Sequence, residues 1–237
     1  TNGSSDRGGN WVTPLVSNKE SVLYAGYSKL YKFENNDWQA VSSKVFGGDL
    51  NSIAISSSNN DIIYVSRSNK LYKSIDRGIT FNEITFIFPR FISSIEINNQ
   101  NSDIIYITNS GFNGEVYKSI DAGANWTSIS FNLPNEPKMV IKHQNQSLIN
   151  DLYLGTILGV YHINDNMTEW ELFDNNLPNV PVYDLEINIE DELITISTYG
   201  RGVWQSPIVV NKATKDISLL TVNTNNTVQC SGITPRI

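Results

Sequence analysis

Two carboxylates lie in a repeated motif that could carry acid–base chemistry. Asp76 and Asp121 each occupy the third position of a Ser-x-Asp-x-Gly-x-x-aromatic pattern. A catalytic acid needs a converging base, nucleophile or second carboxylate, and the motif contains none. Its residues suit a tight turn, because Asp accepts bonds from downstream N–H groups, Gly adopts positive φ and the ring packs beside the returning strand. We therefore interpret the defining residues of the two motif copies as structural: Ser74, Asp76, Gly78, Phe81, Ser119, Asp121, Gly123 and Trp126.

Few other side chains could react or bind a metal. Cys230 is the only cysteine, which excludes an internal disulfide and a cysteine-rich zinc site. His143 and His162 fall in separate repeats without metal-ligand spacing. We predict two satisfied surface histidines and neither a metal nor a cofactor.

Composition and charge exclude several kinds of partner. The 237-residue chain has 17 Lys and Arg against 24 Asp and Glu, a net charge of −7, so no basic field attracts nucleic acid. No apolar run approaches the roughly 20 residues of a membrane span, so we predict no membrane insertion. No signal segment is recognisable, and we expect Thr1 to be a cut within a longer chain. The many Asn, Ser and Ile residues resemble the composition of secreted Bacteroidota proteins, so we expect a secreted or cell-surface protein.

The aromatic residues reveal an internal repeat. One series follows short apolar runs at spacings of 40, 42, 47 and 43 residues and comprises Tyr24, Tyr64, Tyr106, Tyr153 and Ile196. A second series, at spacings of 41, 45, 44 and 43, comprises Tyr31, Tyr72, Tyr117, Tyr161 and Trp204. A period in the low forties with several short β-runs per unit predicts an all-β propeller of four-stranded blades.

The repeat divides residues 1–210 into five blades. We predict blades at about residues 11–44, 45–88, 89–134, 135–178 and 179–210. In each, an alternating segment forms the innermost strand, the two series mark the second and third strands, and the motif makes the turn into the fourth. The fourth blade keeps only Asp165 and Trp170 of the motif.

The ends of the repeat are less regular. Trp11 precedes Tyr24 by only 13 residues, so we predict an inner strand at residues 11–15 and a loop at 1–10. Residues 208–210 are the only nearby candidate for the outer strand of the fifth blade. Because neither end supplies a convincing closing strand, we expect the five blades to belong to a larger ring of seven or eight.

The motif resembles the Asp-box, or BNR-type, repeat of sialidases, sortilin-type receptors and xyloglucanase-like glycoside hydrolases. Residues 11–207 are also similar to BNR-repeat "glycosyl hydrolase" surface proteins of Bacteroidota, through the segments WVTPL, LYAGY, LGVY and YGRGVW. The resemblance implies a propeller whose boxes lie on the outer rim, away from the substrate face. It also implies that residues 211–237, a polar linker and a plausible strand, begin an Ig-like module.

Ligand-binding candidates follow on the face opposite the box turns. An extended loop at residues 111–114 carries Phe112 and Asn113, near Arg90 and Phe91, and its glycines should let it adapt. Aromatic rings can lie against a pyranose while Arg and Asn donate to its hydroxyls. Further candidates in the fifth blade are Tyr199 and Arg201. The remaining candidates on this face are Lys44, Phe46, Asp49, Arg67, Phe88, Lys138 and Asn179.

Three classes of function stay open. The first is a non-catalytic extracellular recognition or adhesion module that binds a glycan or a surface protein, together with other blades or domains of a parent chain. The second is a fragment of a xyloglucanase-like glycoside hydrolase whose carboxylates lie partly outside this chain. The third is a structural spacer. An exposed aromatic platform that includes Phe112 would favour binding, close acidic pairs would favour the hydrolase, and a bare polar face would favour the spacer.

Overall fold

The protein is described by a computed structural model that covers residues 12–174 and 177–210. These residues form nineteen β-strands in five antiparallel sheets, and they include no helix that could cross a membrane. The predicted all-β propeller of five blades is confirmed. Each sheet is one blade, and its strands pair in chain order from the inside outward.

The strands follow the predicted repeat. Blade 1 contains β1 (Leu15–Ser17), β2 (Leu23–Gly26), β3 (Leu30–Glu34) and β4 (Asp37–Ala40). Blade 2 contains β5 (Ser52–Ile55), β6 (Ile63–Arg67), β7 (Lys70–Ser74) and β8 (Asn82–Glu83). Blade 3 contains β9 (Ile92–Ile97), β10 (Ile105–Asn109), β11 (Val116–Ser119) and β12 (Thr127–Ser128). Blade 4 contains β13 (Lys138–His143), β14 (Leu152–Thr156), β15 (Gly159–Ile163) and β16 (Glu171–Leu172). Blade 5 contains β17 (Val182–Asn188), β18 (Leu193–Thr198) and β19 (Gly202–Pro207).

The hydrophobic core consists of four clusters, one between each pair of consecutive blades. The second strand of each of the first four blades contributes a buried tyrosine that packs against apolar residues of the following blade. Tyr64 of blade 2, for example, lies in the cluster that contains Ile105 and Ile107 of blade 3. Its hydroxyl also donates to the carbonyl of Ala122, in the box turn of blade 3, at 3.1 Å. The tyrosine series therefore joins neighbouring blades.

The strand register corrects the fifth member of this series. Tyr106 pairs with Glu96 and Tyr153 with Lys142, and the equivalent pair in blade 5 is Thr195 with Glu186. Ile196 is one position further on, so its side chain points to the opposite face of the blade. The other series is continued by Trp204, which pairs with Ile196 as Tyr161 pairs with Leu154.

Both ends of the repeat differ from the prediction. The first inner strand begins at Leu15 rather than at residue 11, and Pro14, which has no N–H to donate to a sheet, precedes it. Residues 208–210 do not extend the sheet of blade 5. Instead the Val209 N–H donates to the hydroxyl of Tyr153 of blade 4 at 2.8 Å, whereas the hydroxyl of Tyr64 of blade 2 contacts the box turn of blade 3. The predicted loop at 1–10, Trp11 and the predicted module at 211–237 lie outside the described residues.

Candidate functional site

The two complete boxes form matching turns on one face of the propeller. In the blade 2 box, the Ser74 hydroxyl donates to the Asp76 carboxylate at 2.7 Å and accepts from the N–H of Gly78 at 2.8 Å. The Thr80 hydroxyl and N–H donate to Asp76 at 2.6 and 2.9 Å and lower the pKa of its carboxyl. Gly78 has a φ of 87°, which a residue with a side chain rarely adopts.

The blade 3 box repeats this arrangement. Ser119 donates to Asp121 at 2.8 Å and accepts from the N–H of Gly123 at 2.9 Å. The side chain and N–H of Asn125 donate to Asp121 and lower the pKa of its carboxyl. The Trp126 indole donates to the carbonyl of Gly123 at 3.0 Å, and in the blade 2 box Phe81 is buried in the core. In both boxes the carboxylate accepts hydrogen bonds from residues of its own turn.

Asp165 in blade 4 does not repeat these contacts. It accepts a bond from the Asn150 side chain and lies 3.7 Å from the Lys118 ammonium. Asn164 takes over the turn by accepting from the N–H of Asn166 at 3.0 Å. Trp170 keeps its position, buried, with its indole donating to the carbonyl of Ile129 at 2.7 Å.

Blade 4 contains a buried polar cluster that sequence reasoning missed. Asp151 accepts bonds from the side chains of Ser147 at 2.7 Å, His162 at 2.8 Å and Asn164 at 3.0 Å. Burial alone would raise the pKa of Asp151, but these hydrogen bonds lower it to about 2. All three of Asp151, Ser147 and His162 are buried, so the cluster is closed to a ligand.

Both histidines have partners, but they are buried rather than on the surface as predicted. The ring of His143 contacts the side chains of Asn98 at 3.1 Å and Asn150 at 3.3 Å. Burial lowers the pKa of His143. Within the described part of the chain, no group of three His, Cys, Asp or Glu residues could hold a metal ion.

Four of the predicted binding residues lie together on the loop face, opposite the box turns. We call Arg90, Phe91, Phe112 and Asn113 the loop patch. All four are exposed, with the two phenylalanines 62% and 71% exposed. Ser110 donates its N–H to the carbonyl of Phe91 at 2.9 Å, which joins the loop of Phe112 to the linker of Phe91. Two exposed phenylalanines therefore lie on adjoining loops of this face.

Hydrogen bonds close the loop that carries Phe112 and connect it to the neighbouring linker. The Gly114 N–H donates to the carbonyl of Gly111 at 3.0 Å and closes a tight turn. A Cβ atom on Gly114 would lie 2.2 Å from the carbonyl oxygen of Asn109, so only glycine fits there. The Asn109 side chain also donates to the carbonyl of Arg90 at 3.1 Å. The glycines therefore allow close backbone packing in this loop.

The other candidates on this face divide between the core and the surface. Phe46 and Phe88 are buried in the clusters between blades, because the linkers that carry them fold over the seams. Lys138 is also buried, and its ammonium donates to the carbonyls of Pro134 and Glu136 at 2.5 and 2.7 Å. The rest stay at least partly accessible: Lys44, Asp49, Arg67 and Asn179.

Blade 5 presents a pair of tyrosines, only one of which could be singled out from the sequence. The rings of Tyr183 and Tyr199 are 54% and 75% exposed, and their centroids lie 6.1 Å apart at an angle of 49°. We call these two residues the tyrosine pair. Arg201 is exposed in the same loop as Tyr199. Tyr183 occupies a bulge in β17, where β9 has Ser93 and β13 has Met139. An aromatic residue at that position was the signal that could have identified it.

The inner strands of all five blades surround a cavity of about 440 Å³. One layer of this channel is formed by equivalent positions of the strands, apolar in blades 1 and 2 and charged in blades 3 to 5. The Lys142 ammonium lies 2.8 Å from the Glu186 carboxylate, and Glu96 accepts from the N–H of His143 at 3.1 Å. Burial raises the pKa of Glu96 to about 7, although Lys142 and the His143 amide act to lower it. In the sequence, Glu96 is the polar member of an alternating strand, a pattern that does not distinguish it from an exposed residue.

The sequence matches no protein-family model and no curated protein. The fold is similar to that of a GH74 enzyme from Niastella koreensis, with 15% identity, a TM-score of 0.64 and coverage of 81% of this chain and 33% of that chain. It is similar to the GH74 xyloglucanase of Xanthomonas campestris, with 13% identity, a TM-score of 0.63 and coverage of 84% and 36%. The extracellular domain of a one-component system from B. thetaiotaomicron gives 17% identity, a TM-score of 0.64 and coverage of 83% and 26%.

These similarities concern the fold. The chain spans about a third or less of the length of these solved structures, and it shares under a fifth of their residues in the aligned parts. They support a propeller of the kind found in xyloglucanases and in that extracellular domain.

Proposed function

We propose that this chain is a non-catalytic extracellular module that recognises a glycan through its loop face. The observation that carries the proposal is the loop patch, in which Phe91 and Phe112 are both mostly exposed on two loops that hydrogen bonds join. A contiguous patch of exposed rings can mark a binding surface, because burying the rings against a partner removes apolar area from water.

The polar members of the loop patch suit a sugar. The apolar face of a pyranose can cover an aromatic ring while its hydroxyl groups stay at the rim, where they need donors and acceptors. Arg90 supplies five N–H donors, and Asn113 supplies both a donor and an acceptor. The hydrogen bond from Gly114 to Gly111 closes the turn that carries Phe112, and a preformed turn reduces the entropy lost on binding.

The rest of the chain fits a scaffold within a larger protein. The carboxylates of Asp76 and Asp121 accept bonds inside their own turns, which supports a structural role for the boxes. This chain covers a third or less of these two solved structures. That coverage supports the proposal that its partners are further blades or domains. A secreted or cell-surface location would give the loop patch access to extracellular glycans.

One observation favours the alternative of a glycoside hydrolase. Glu96 has a pKa of about 7 and lines the same cavity as Glu186. A protonated acid and a carboxylate are the two groups that hydrolysis of a glycosidic bond requires. Lys142 contacts Glu186 and raises the electrostatic cost of using it as a base, so we favour binding over catalysis.

The test is a glycan panel of xyloglucan, cello-oligosaccharides, mannan and chito-oligosaccharides, titrated by calorimetry. We expect wild type to bind at least one of them, and the Phe91→Ala/Phe112→Ala variant to bind it at least tenfold more weakly, since each lost ring contact costs about 1 kcal/mol. The matched control is Ile75→Ala/Ile120→Ala, which removes two exposed apolar side chains from the box turns and should bind as wild type does.

Three results would contradict the proposal. They are no binding of any glycan by wild type, unchanged binding by the folded phenylalanine variant, and weakened binding by the isoleucine control. The same panel is assayed for released reducing ends. Hydrolysis that Glu96→Gln abolishes would replace the binding proposal with the hydrolase.

A further inference from the structure

The tyrosine pair is a built feature of blade 5. The Tyr199 N–H donates to the carbonyl of Pro181 at 3.0 Å, so the loop after β18 is attached to the chain that enters β17. The Thr198 hydroxyl donates to the carbonyl of Gly202 at 2.7 Å, and the Trp204 indole donates to the carbonyl of Arg201 at 2.9 Å. These bonds hold the loop and keep Tyr199 beside Tyr183.

The side chains of the pair are free to meet a ligand. Among residues 12–174 and 177–210, neither tyrosine hydroxyl has a hydrogen-bond partner, and Arg201 forms no ion pair. The exposed Asp184 carboxylate follows Tyr183 and accepts a bond from the N–H of Leu185. Two exposed rings at an angle offer stacking surfaces, and their hydroxyl groups offer hydrogen bonds to a hydroxylated ligand.

The position of the pair bears on the length of the ligand. Loops between second and third strands and linkers between blades lie on the loop face, and both the loop patch and the tyrosine pair belong to them. The loop patch lies on blades 2 and 3 and the tyrosine pair lies on blade 5, so blade 4 separates them along the chain, and the inner strands of all five blades line one cavity. A ligand that contacts both places must therefore extend past the loops of blade 4 or across the mouth of the cavity.

We propose that Tyr183 and Tyr199 form a second sugar-binding subsite, and that the ligand is an extended oligosaccharide that crosses the channel mouth from the loop patch. This inference rests on the proposed function and adds the ligand's length to it. The two subsites act on one chain, so occupation of the first raises the effective concentration of the sugar at the second.

A length series tests the inference with the glycan that the panel identifies, from disaccharide to polymer. We expect the affinity of wild type to rise by at least tenfold once the chain reaches both subsites. Tyr183→Ala/Tyr199→Ala should lose this gain and leave the affinity for disaccharides unchanged. The phenylalanine variant should weaken binding at every length. Val203→Ala, which removes another exposed apolar side chain of blade 5, is the matched control.

The outcomes separate the two proposals. If affinity does not rise with length, or if the folded tyrosine variant keeps the gain, the second subsite is wrong and the loop patch stands. If the tyrosine variant loses binding at every length while the phenylalanine variant binds normally, the loop patch is wrong. If wild type binds no glycan in the series, both proposals fail.

Discussion

Replacement of Asp151 by Asn tests how much the buried cluster of blade 4 stabilises the fold. Asn has nearly the shape of Asp but no charge, so the variant keeps the packing and removes the carboxylate that Ser147, His162 and Asn164 contact. Because the cluster is buried and closed to ligands, the change acts on stability rather than on binding.

The magnitude follows from the pKa. The folded state lowers the pKa of Asp151 from 3.8 to about 2. A difference of one between the folded and the unfolded pKa corresponds to about 1.36 kcal/mol in the free energy of unfolding. The ionised carboxylate therefore stabilises the fold by about 2 kcal/mol relative to the protonated one. Because the folded pKa is below the unfolded one, this contribution is present above pH 4 and is lost as the pH falls toward 2.

Urea unfolding followed by tryptophan fluorescence measures the effect across pH, since the chain has five tryptophans. We expect the free energy of unfolding of Asp151→Asn to be about 2 kcal/mol lower than that of wild type at pH 7. This difference should shrink between pH 4 and pH 2. Asp37→Asn, at an exposed position in β4, controls for the change in net charge.

The reasoning would be refuted by either of two results. One is a difference below about 0.5 kcal/mol at pH 7, which would mean that the hydrogen bonds contribute no more than those of an exposed side chain. The other is a difference that stays constant down to pH 2, which would mean that ionisation of Asp151 is not its cause.

Two further predictions concern the box and the loop patch. Ser119→Ala removes the acceptor of the buried Gly123 N–H, so urea unfolding should show a loss of about 1–3 kcal/mol. Asp121→Ala should also lower stability, and calorimetry should find glycan binding unchanged in both variants; loss of binding by a folded box variant would give the boxes a ligand role. Gly114→Ala would place a Cβ atom 2.2 Å from the Asn109 carbonyl, so the turn must shift and Phe112 with it. We expect its glycan affinity to fall about fivefold, the equivalent of one lost ring contact, and an unchanged affinity in the folded variant would argue against a role for the loop's position.

The sequence predicted the blades well because each blade repeats the same local chemistry. Apolar runs that end in tyrosine identify second strands, and the boxes contain every group needed to close their turns. The first four tyrosines could be placed without knowledge of their partners. Blade 5 was misaligned by one residue, because Ile196 resembles the other apolar positions while Thr195 resembles none of the tyrosines. A shift of one residue along a strand moves the side chain to the opposite face of the sheet. The spacing of the repeat alone could not decide which of the two residues, Thr195 or Ile196, matches the tyrosines.

Prediction of the site was weaker because it depends on what surrounds each side chain. Phe88 and Phe91 are three residues apart in one linker, yet one is fully buried and the other is mostly exposed. Only the path of the linker over the seam between blades separates them. Glu96 shows the same limit, since alternation marks it as polar but does not reveal that the next inner strands place Lys142 and Glu186 around the same cavity.

The tyrosines that join the blades also have a consequence for synthesis on the ribosome. Each tyrosine belongs to one blade, and the place that receives it belongs to the blade translated next. Tyr64 must wait for Ala122, which lies 58 residues later. At about 5–20 residues per second this delay is roughly 3 to 12 s, during which an apolar ring of the nascent chain stays uncovered. The newest blade is therefore the one most exposed to chaperones and to misassembly. Blade 5 has Thr195 at the position of the tyrosines and does not expose such a ring there.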